Sequence, residues 1–180
     1  MNRSRIITGA AAFFFPAGKA FTVPSAGTSS PTAKPGAADT GWVNLGEADW
    51  TLTPDVQTEP FYGASTGRRV LIDKIVTRQG LKLKGKLMEV QNLTWQMLLG
   101  TLALPDSPAA GGQFNHMEGD PILRGWLQLQ QRTPGGTLLV THDLYVAMMV
   151  PGDVVFGDKP LEIDVEAEML FSTLNTGSLA

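Results

Sequence analysis

Cysteine is absent from the 180 residues. That removes disulfides, cysteine zinc sites and thiol catalysis together. A basic excess is also missing: Lys and Arg number 14 against 17 Asp and Glu, for a net charge of −3. A protein that grips nucleic-acid phosphates carries the opposite balance, which argues against tight DNA binding. No stretch is long and apolar enough to cross a membrane as a helix, which takes roughly 20 such residues. No Gly-rich phosphate loop of the right pattern occurs. What the chain does have is apolar material. Hydrophobic residues make up 43% and charged residues 17%, enough to bury a core within a single domain spanning 1–180.

The first residues admit two readings. Asn2-Arg3-Ser4-Arg5 followed by Ile6 to Phe15 resembles a short secretory signal, with a basic start and an apolar run. Pro16 and Lys19 interrupt it, and no small-x-small cleavage site follows. The alternative is a buried first strand with Phe13, Phe14 and Phe15 as β-formers. Pro24, Pro31 and Pro35 then stand among Gly, Ser, Thr and Ala between Thr22 and Thr40. That composition denies a continuous ladder and predicts a flexible arm at about 22–40.

From Trp42 onward the pattern is that of strands. Trp50 to Thr58 reads as extended, Phe61 to Arg69 as a Gly/Ser/Thr loop, and Arg69 to Arg78 as a Val/Ile-rich strand closed by a Gln79-Gly80 turn. Leu81, Leu83 and Leu87 alternate with Lys82, Lys84 and Lys86, so one face is buried and the other basic. The period then changes. Trp95, Leu98, Leu99 and Leu102 fall on one side of a helix over about 91–104, with Asn92 as its N-cap and Pro105 as its stop. Pro105 to Gly119 reads as a loop, and Ile122 to Arg132 as a strand with Leu123, Leu127 and Leu129 on one face. Thr133-Pro134-Gly135-Gly136 is a hairpin turn into a return strand, Thr137 to Val150. Pro151-Gly152-Asp153 turns the chain again. In the last strand Leu161, Ile163, Val165, Ala167 and Met169 oppose Glu162, Asp164, Glu166 and Glu168. About eight strands and one helix predict a mainly β fold: an antiparallel sandwich or barrel with one flanking helix.

Three patterns suggest chemistry, and each has a plainer reading. Gly63-Ala64-Ser65-Thr66-Gly67 matches a nucleophile elbow, with His142 and Asp143 supplying the other residue types. The elbow needs a helix after the serine, and a β-branched run follows instead. Adjacent residues on a strand, such as His142 and Asp143, also point to opposite faces. His116, Glu118 and Asp120 alternate and could hold a metal, but they sit in a Gly-rich loop with no second histidine nearby. The even spacing of Glu162, Asp164, Glu166 and Glu168 fits a solvated strand face better than an acid/base pair. No catalytic residue, metal or cofactor is expected.

Several segments are similar to phage major tail tube proteins. Gly41-Trp42-Val43-Asn44-Leu45-Gly46 followed by Glu47 resembles a segment near the start of that family. Leu81 to Leu87, then Met88-Glu89-Val90-Gln91-Asn92-Leu93, looks like its strand, acidic residue and helix opening, and the run to Leu99-Gly100 continues the likeness. Ala11 to Gly18 is similar to its first strand and turn. The resemblance covers about half the chain, mostly Gly41 to Gly100, and rests on the order and spacing of the motifs. The Thr22 to Thr40 arm departs from the family pattern, and so does the lack of the immunoglobulin-like C-terminal domain some members carry.

The resemblance implies a β-sandwich with a flanking helix, a fold shared with type VI secretion tube proteins. It implies hexameric rings stacked into a hollow tube in the virion tail, assembled in the host bacterial cytoplasm. Other tail proteins (tape measure, terminator, tail tip) would be partners, and DNA would pass through without specific binding. On that reading Lys82, Lys84 and Lys86 can meet Glu162, Asp164, Glu166 and Glu168, within one subunit or between two, or the acids can line the lumen. The competing expectations are a secreted or periplasmic β-sandwich binding module, a hydrolase built on Ser65, and another ring-forming virion part such as a tail terminator or connector.

Overall fold

A computed structural model describes residues 10–65, 67–87, 92–99, 120–133, 135–155 and 162–179. Its strands are β1 (Ala10–Pro16), β2 (Ala20–Phe21), β3 (Gly27–Thr28), β4 (Val43–Ser65), β5 (Arg68–Leu87), β6 (Leu123–Arg132), β7 (Leu138–Met149), β8 (Ile163–Met169) and β9 (Thr176–Leu179), with one helix, α1 (Asn92–Leu99). The fold is mainly β and antiparallel, as the alternation predicts. One sheet of seven strands runs β6-β1-β4-β5-β8-β7-β9, and β6 also pairs with β7. That extra pairing closes β6, β1, β4, β5, β8 and β7 into a ring, so the sheet is a barrel with β9 attached to β7 beyond the end of β8.

The closed ring gives every strand an inner face, and the inner face is where the period-two leucines go. Phe14, Leu45, Leu83, Leu87, Leu127, Leu129, Val146, Met148, Ile163 and Val165 form one cluster, almost wholly removed from water. At about 25 cal/mol per Å² of apolar surface, this cluster is the main stabilising term of the fold. Trp50 lies across β5 at Gly85, where a Cβ would fall 2.8 Å from the indole ring, so the ring needs glycine there. The helix adds Leu93 and Met97 to the same cluster, one turn apart. The predicted extension of this helix to 104 and its Leu102 lie outside the described residues.

The outside of the barrel divides in two. Over β1, β6 and β7 it carries a second apolar cluster of Phe15, Phe21, Trp126 and Tyr145. Residues 17–42 cross this side as a strap. The Trp126 indole donates to the Ser30 and Ala33 carbonyls at 3.0 and 3.2 Å, and the Trp42 indole donates to Gly36 at 2.9 Å. Asp39 accepts from the amides of Thr22, Val23 and Gly41 at 2.7–3.0 Å. Lys34 reaches Asp143 on β7 at 2.7 Å. The segment read as a flexible arm is thus the cover of the second cluster. Over β4, β5 and β8 no such cover is present among the described residues, and the outer face carries Lys82, Lys84, Lys86, Glu166 and Glu168.

Two local expectations are corrected. Phe61 to Arg69 is not a loop: β4 runs through Ser65, β5 opens at Arg68, and Ser65 pairs with Arg68. Gln79-Gly80 is not a turn either. Both lie within β5, opposite Val56 and Asp55, because paired backbone on β4 continues past them. The expected first strand, the 81–87 strand, the two strands of the 122–150 hairpin and the last strand are all present.

Candidate functional site

Two features of the uncovered side stand out, a charged ladder and a projecting arm. The ladder follows from register. Antiparallel pairing sets Lys82 opposite Glu168, Lys84 opposite Glu166 and Lys86 opposite Asp164. Lys82 meets Glu168 at 3.5 Å, Lys84 pairs with Glu166, and Lys86 meets Glu162 at 2.7 Å. All seven predicted charges therefore come together within one chain. Hydrogen bonding to Glu162, and then its negative charge, hold the Lys86 ammonium above the ordinary lysine value. Asp49 on β4 stands opposite Lys86 and extends the ladder. Asp55 on β4 also meets Lys82 at 3.6 Å and Arg78 at 3.3 Å, so six carboxylates (Asp49, Asp55, Glu162, Asp164, Glu166, Glu168) against four cations leave this group at −2. The ladder sets register and leaves acid to spare. Pairs as exposed as these contribute about 0.2–1 kcal/mol each.

The arm is the outer part of β4 and β5. Beyond Pro54 and Leu81 these strands, among the described residues, pair only with each other. At about 3.3 Å per residue, the stretch from Pro54 to Ser65 reaches up to about 40 Å from the barrel. Pairing fixes which side chains share a face. Side chains of β4 alternate without interruption, whereas β5 carries an extra residue at Thr77 and again at Ile72. Val56, Tyr62, Leu71 and Val76 thereby continue the barrel's inner face. Phe61, Val70 and Ile75 continue its outer face. Ile72 joins them, because its side chain lies over Gly63 and fills the space a Cβ there would take. All eight are 46–64% exposed.

Such a ribbon is unusual in water. A two-stranded hairpin without a covered face is marginally stable. Among the described residues no strand pairs with either edge of this part of the ribbon, an arrangement that invites another strand. Sequence reasoning identified the strand over Arg69–Arg78 but missed the arm. The available signal was Val70-Leu71-Ile72 with Ile75-Val76, apolar at both parities. A strand of that kind belongs between two layers, and the described residues supply neither.

The other candidates disperse. Ser65 ends β4 at the arm's tip and is followed by a strand, so the strand-to-helix turn of an elbow is not formed. Asp143 binds Lys34 and the Gln128 amide on β6, while His142 sits opposite Gly177 of β9. Asp120 accepts from Arg124 at 2.7 Å and from the Ile122 amide at 2.9 Å, and both hold its carboxyl below the usual range. His116 and Glu118 lie outside the described residues.

No protein-family model matches this chain, and no curated protein matches it.

Proposed function

We propose that this chain is a structural subunit that polymerises with its own kind. Stacked hexameric rings would form the hollow tube of a phage-type tail, through which DNA leaves the particle. The observation that carries this reading is the arm: a long β-ribbon with open edges and apolar side chains on both faces, attached to a barrel that is complete without it. Burying apolar surface is the dominant favourable term in association, and exposed patches of this kind mark interaction sites. Head-to-tail contact between arm and neighbour closes into a ring when the rotation permits. The spare acid of the ladder face suits a wall that DNA slides past, since like charge repels phosphate. The segment resemblances of the sequence point the same way.

Negative-stain electron microscopy of the purified protein over a range of concentrations tests the proposal. Hollow tubes or stacked rings are expected. Isolated rings that never stack would replace the tube with a connector-type part. Single particles at every concentration, with tail-tip and tape-measure partners added, would refute polymerisation.

A further inference from the structure

Outward side chains of β6 form an ordered polar row. Gln128, Gln130 and Arg132 alternate along the strand and so share one face. Asp143 stands opposite Gln128 on β7. The Gln128 amide donates to Asp143 at 2.8 Å, the Gln130 amide to the Gln128 oxygen at 2.7 Å, and Arg132 to the Gln130 oxygen at 2.7 Å. Each end of the row leaves the strand. At one end Lys34 of the strap donates to the other Asp143 oxygen at 2.7 Å. At the other, the second terminal nitrogen of Arg132 donates to the Gly136 carbonyl at 3.0 Å, in the turn between β6 and β7. Lys34 and Gly136 are thereby joined, side chain by side chain, along about 13 Å of β6.

The ends of the row fix its direction. A primary amide has a donor end and an acceptor end, and two in line could point either way. An ionised aspartate only accepts and a guanidinium only donates. Asp143 and Arg132 therefore leave one arrangement in which every member is satisfied. Gln128 is 5% exposed, so an amide turned the wrong way would lose its partner without gaining water. We infer that this row couples the strap to the β6–β7 turn: the turn is held while Lys34 is seated and released when Lys34 lifts. Without Lys34, Asp143 loses its counter-charge and is drawn to water, which loosens Gln128 and each member after it. Hydrogen bonds in such a chain polarise one another, so the loss is passed along. The coupling is reciprocal. A partner that grips the turn fastens the strap over Trp126, and one that grips the strap stiffens the turn. None of this depends on self-assembly.

Amide hydrogen exchange of the dilute chain tests the coupling. The turn is read at Gly136 and Thr137, whose amides donate to Thr133 at 2.8 and 3.1 Å. The strap is read at Ala33 and Gly36, whose amides donate to Ser30 and Val23 at 3.1 and 2.7 Å. Lys34→Met keeps a stem beside Trp126 and removes the charge. It is expected to speed exchange at the turn by about tenfold, the scale of losing a hydrogen bond to a charged group, with β5 and β8 unchanged. Arg132→Met is expected to speed exchange at the strap. Gln130→Leu breaks the row in the middle and leaves both ends intact, and in that background Lys34→Met should no longer alter the turn. If Lys34→Met speeds the strap amides alone, the row is a static brace and the inference fails. If the turn still responds in the Gln130→Leu background, the signal travels another way and the inference fails again. Should Lys34→Met unfold, seen as faster exchange in β5 and β8 together, Lys34→Gln keeps a donor toward Asp143 and gives the same comparison with a smaller expected change.

Discussion

The barrel and the arm are built from the same two strands, yet they obey different rules. At their roots β4 and β5 are half-buried: Leu83 and Leu87 face the core, and Lys82, Lys84 and Lys86 face water. Alternation there is strict because one side is dry and one is wet. At their tips the strands keep the pairing and lose the alternation, with apolar side chains on both faces and water on both. The root is thus packed within the barrel, while the apolar side chains of the tip stay about half exposed.

Truncating one phenylalanine in each region gives the largest contrast. Phe14→Ala removes a ring from the barrel's centre and should cost about 3–5 kcal/mol in denaturant unfolding. Phe61→Ala removes an equal ring from the arm and should change the dilute chain's stability by about 0.5 kcal/mol or less. Its effect should appear in assembly instead. Equal losses in dilute solution would mean the arm is already packed, and the contrast would collapse.

A smaller effect is expected where the strap is fastened. Asp39 accepts hydrogen bonds from the Thr22, Gly41 and Val23 amides, and these hold its carboxyl below its ordinary value of 3.8. A depressed folded pKa adds stability that is present above the unfolded value and is lost as pH falls through the folded one. The clasp should therefore hold at neutral pH and weaken only below about pH 4. Asp39→Asn should lower the thermal midpoint at pH 7 and remove this part of the acid dependence, with the Trp126 fluorescence reporting loosening of the strap. An unchanged midpoint would show that the second apolar cluster holds the strap without the carboxylate.

The smallest effect belongs to the ladder. Lys84→Glu places a second acid opposite Glu166, in the row that Thr51 completes, and should cost about 1 kcal/mol at low salt, shrinking as salt screens the repulsion. A loss independent of salt would mean that packing, not charge, is what the lysine supplies.

These regions also differ in how legible they are. Leu81 to Leu87 and Ile163 to Met169 were readable because each has one face in the core and one in solvent. The 122–132 strand was readable as a strand, but the burial of Trp126 and Gln128 was not. Their side is dry only because the strap, distant in sequence, lies over it. The strap in turn looked like a plain loop, since its order comes from single polar contacts such as Asp39 and from two indoles, which leave no period. The turns that Asp39 makes with Gly41 and Ser30 with Thr32, each two residues on, were its local signals. The arm's tip was misread because Pro60 and Gly63 carry the composition of a loop, and only continued pairing with β5 makes them strand. Four residues, Thr176–Leu179, are too few to show alternation, so β9 left no trace. The ladder's residues on β5 and around β8 were all identified, whereas Asp49 on β4 was not, and register with β8 decided that they meet within one chain.

Hydrogen–deuterium exchange of the same protein, dilute and concentrated, tests most directly whether the arm is completed by other copies. The expected result is fast exchange at the outward-facing amides of Pro54–Ser65 and Arg68–Leu81 in dilute solution and strong protection of both segments in the assembled form, with the barrel strands β1, β6 and β7 unchanged. Assembled particles whose arms exchange as fast as those of the dilute chain would contradict it.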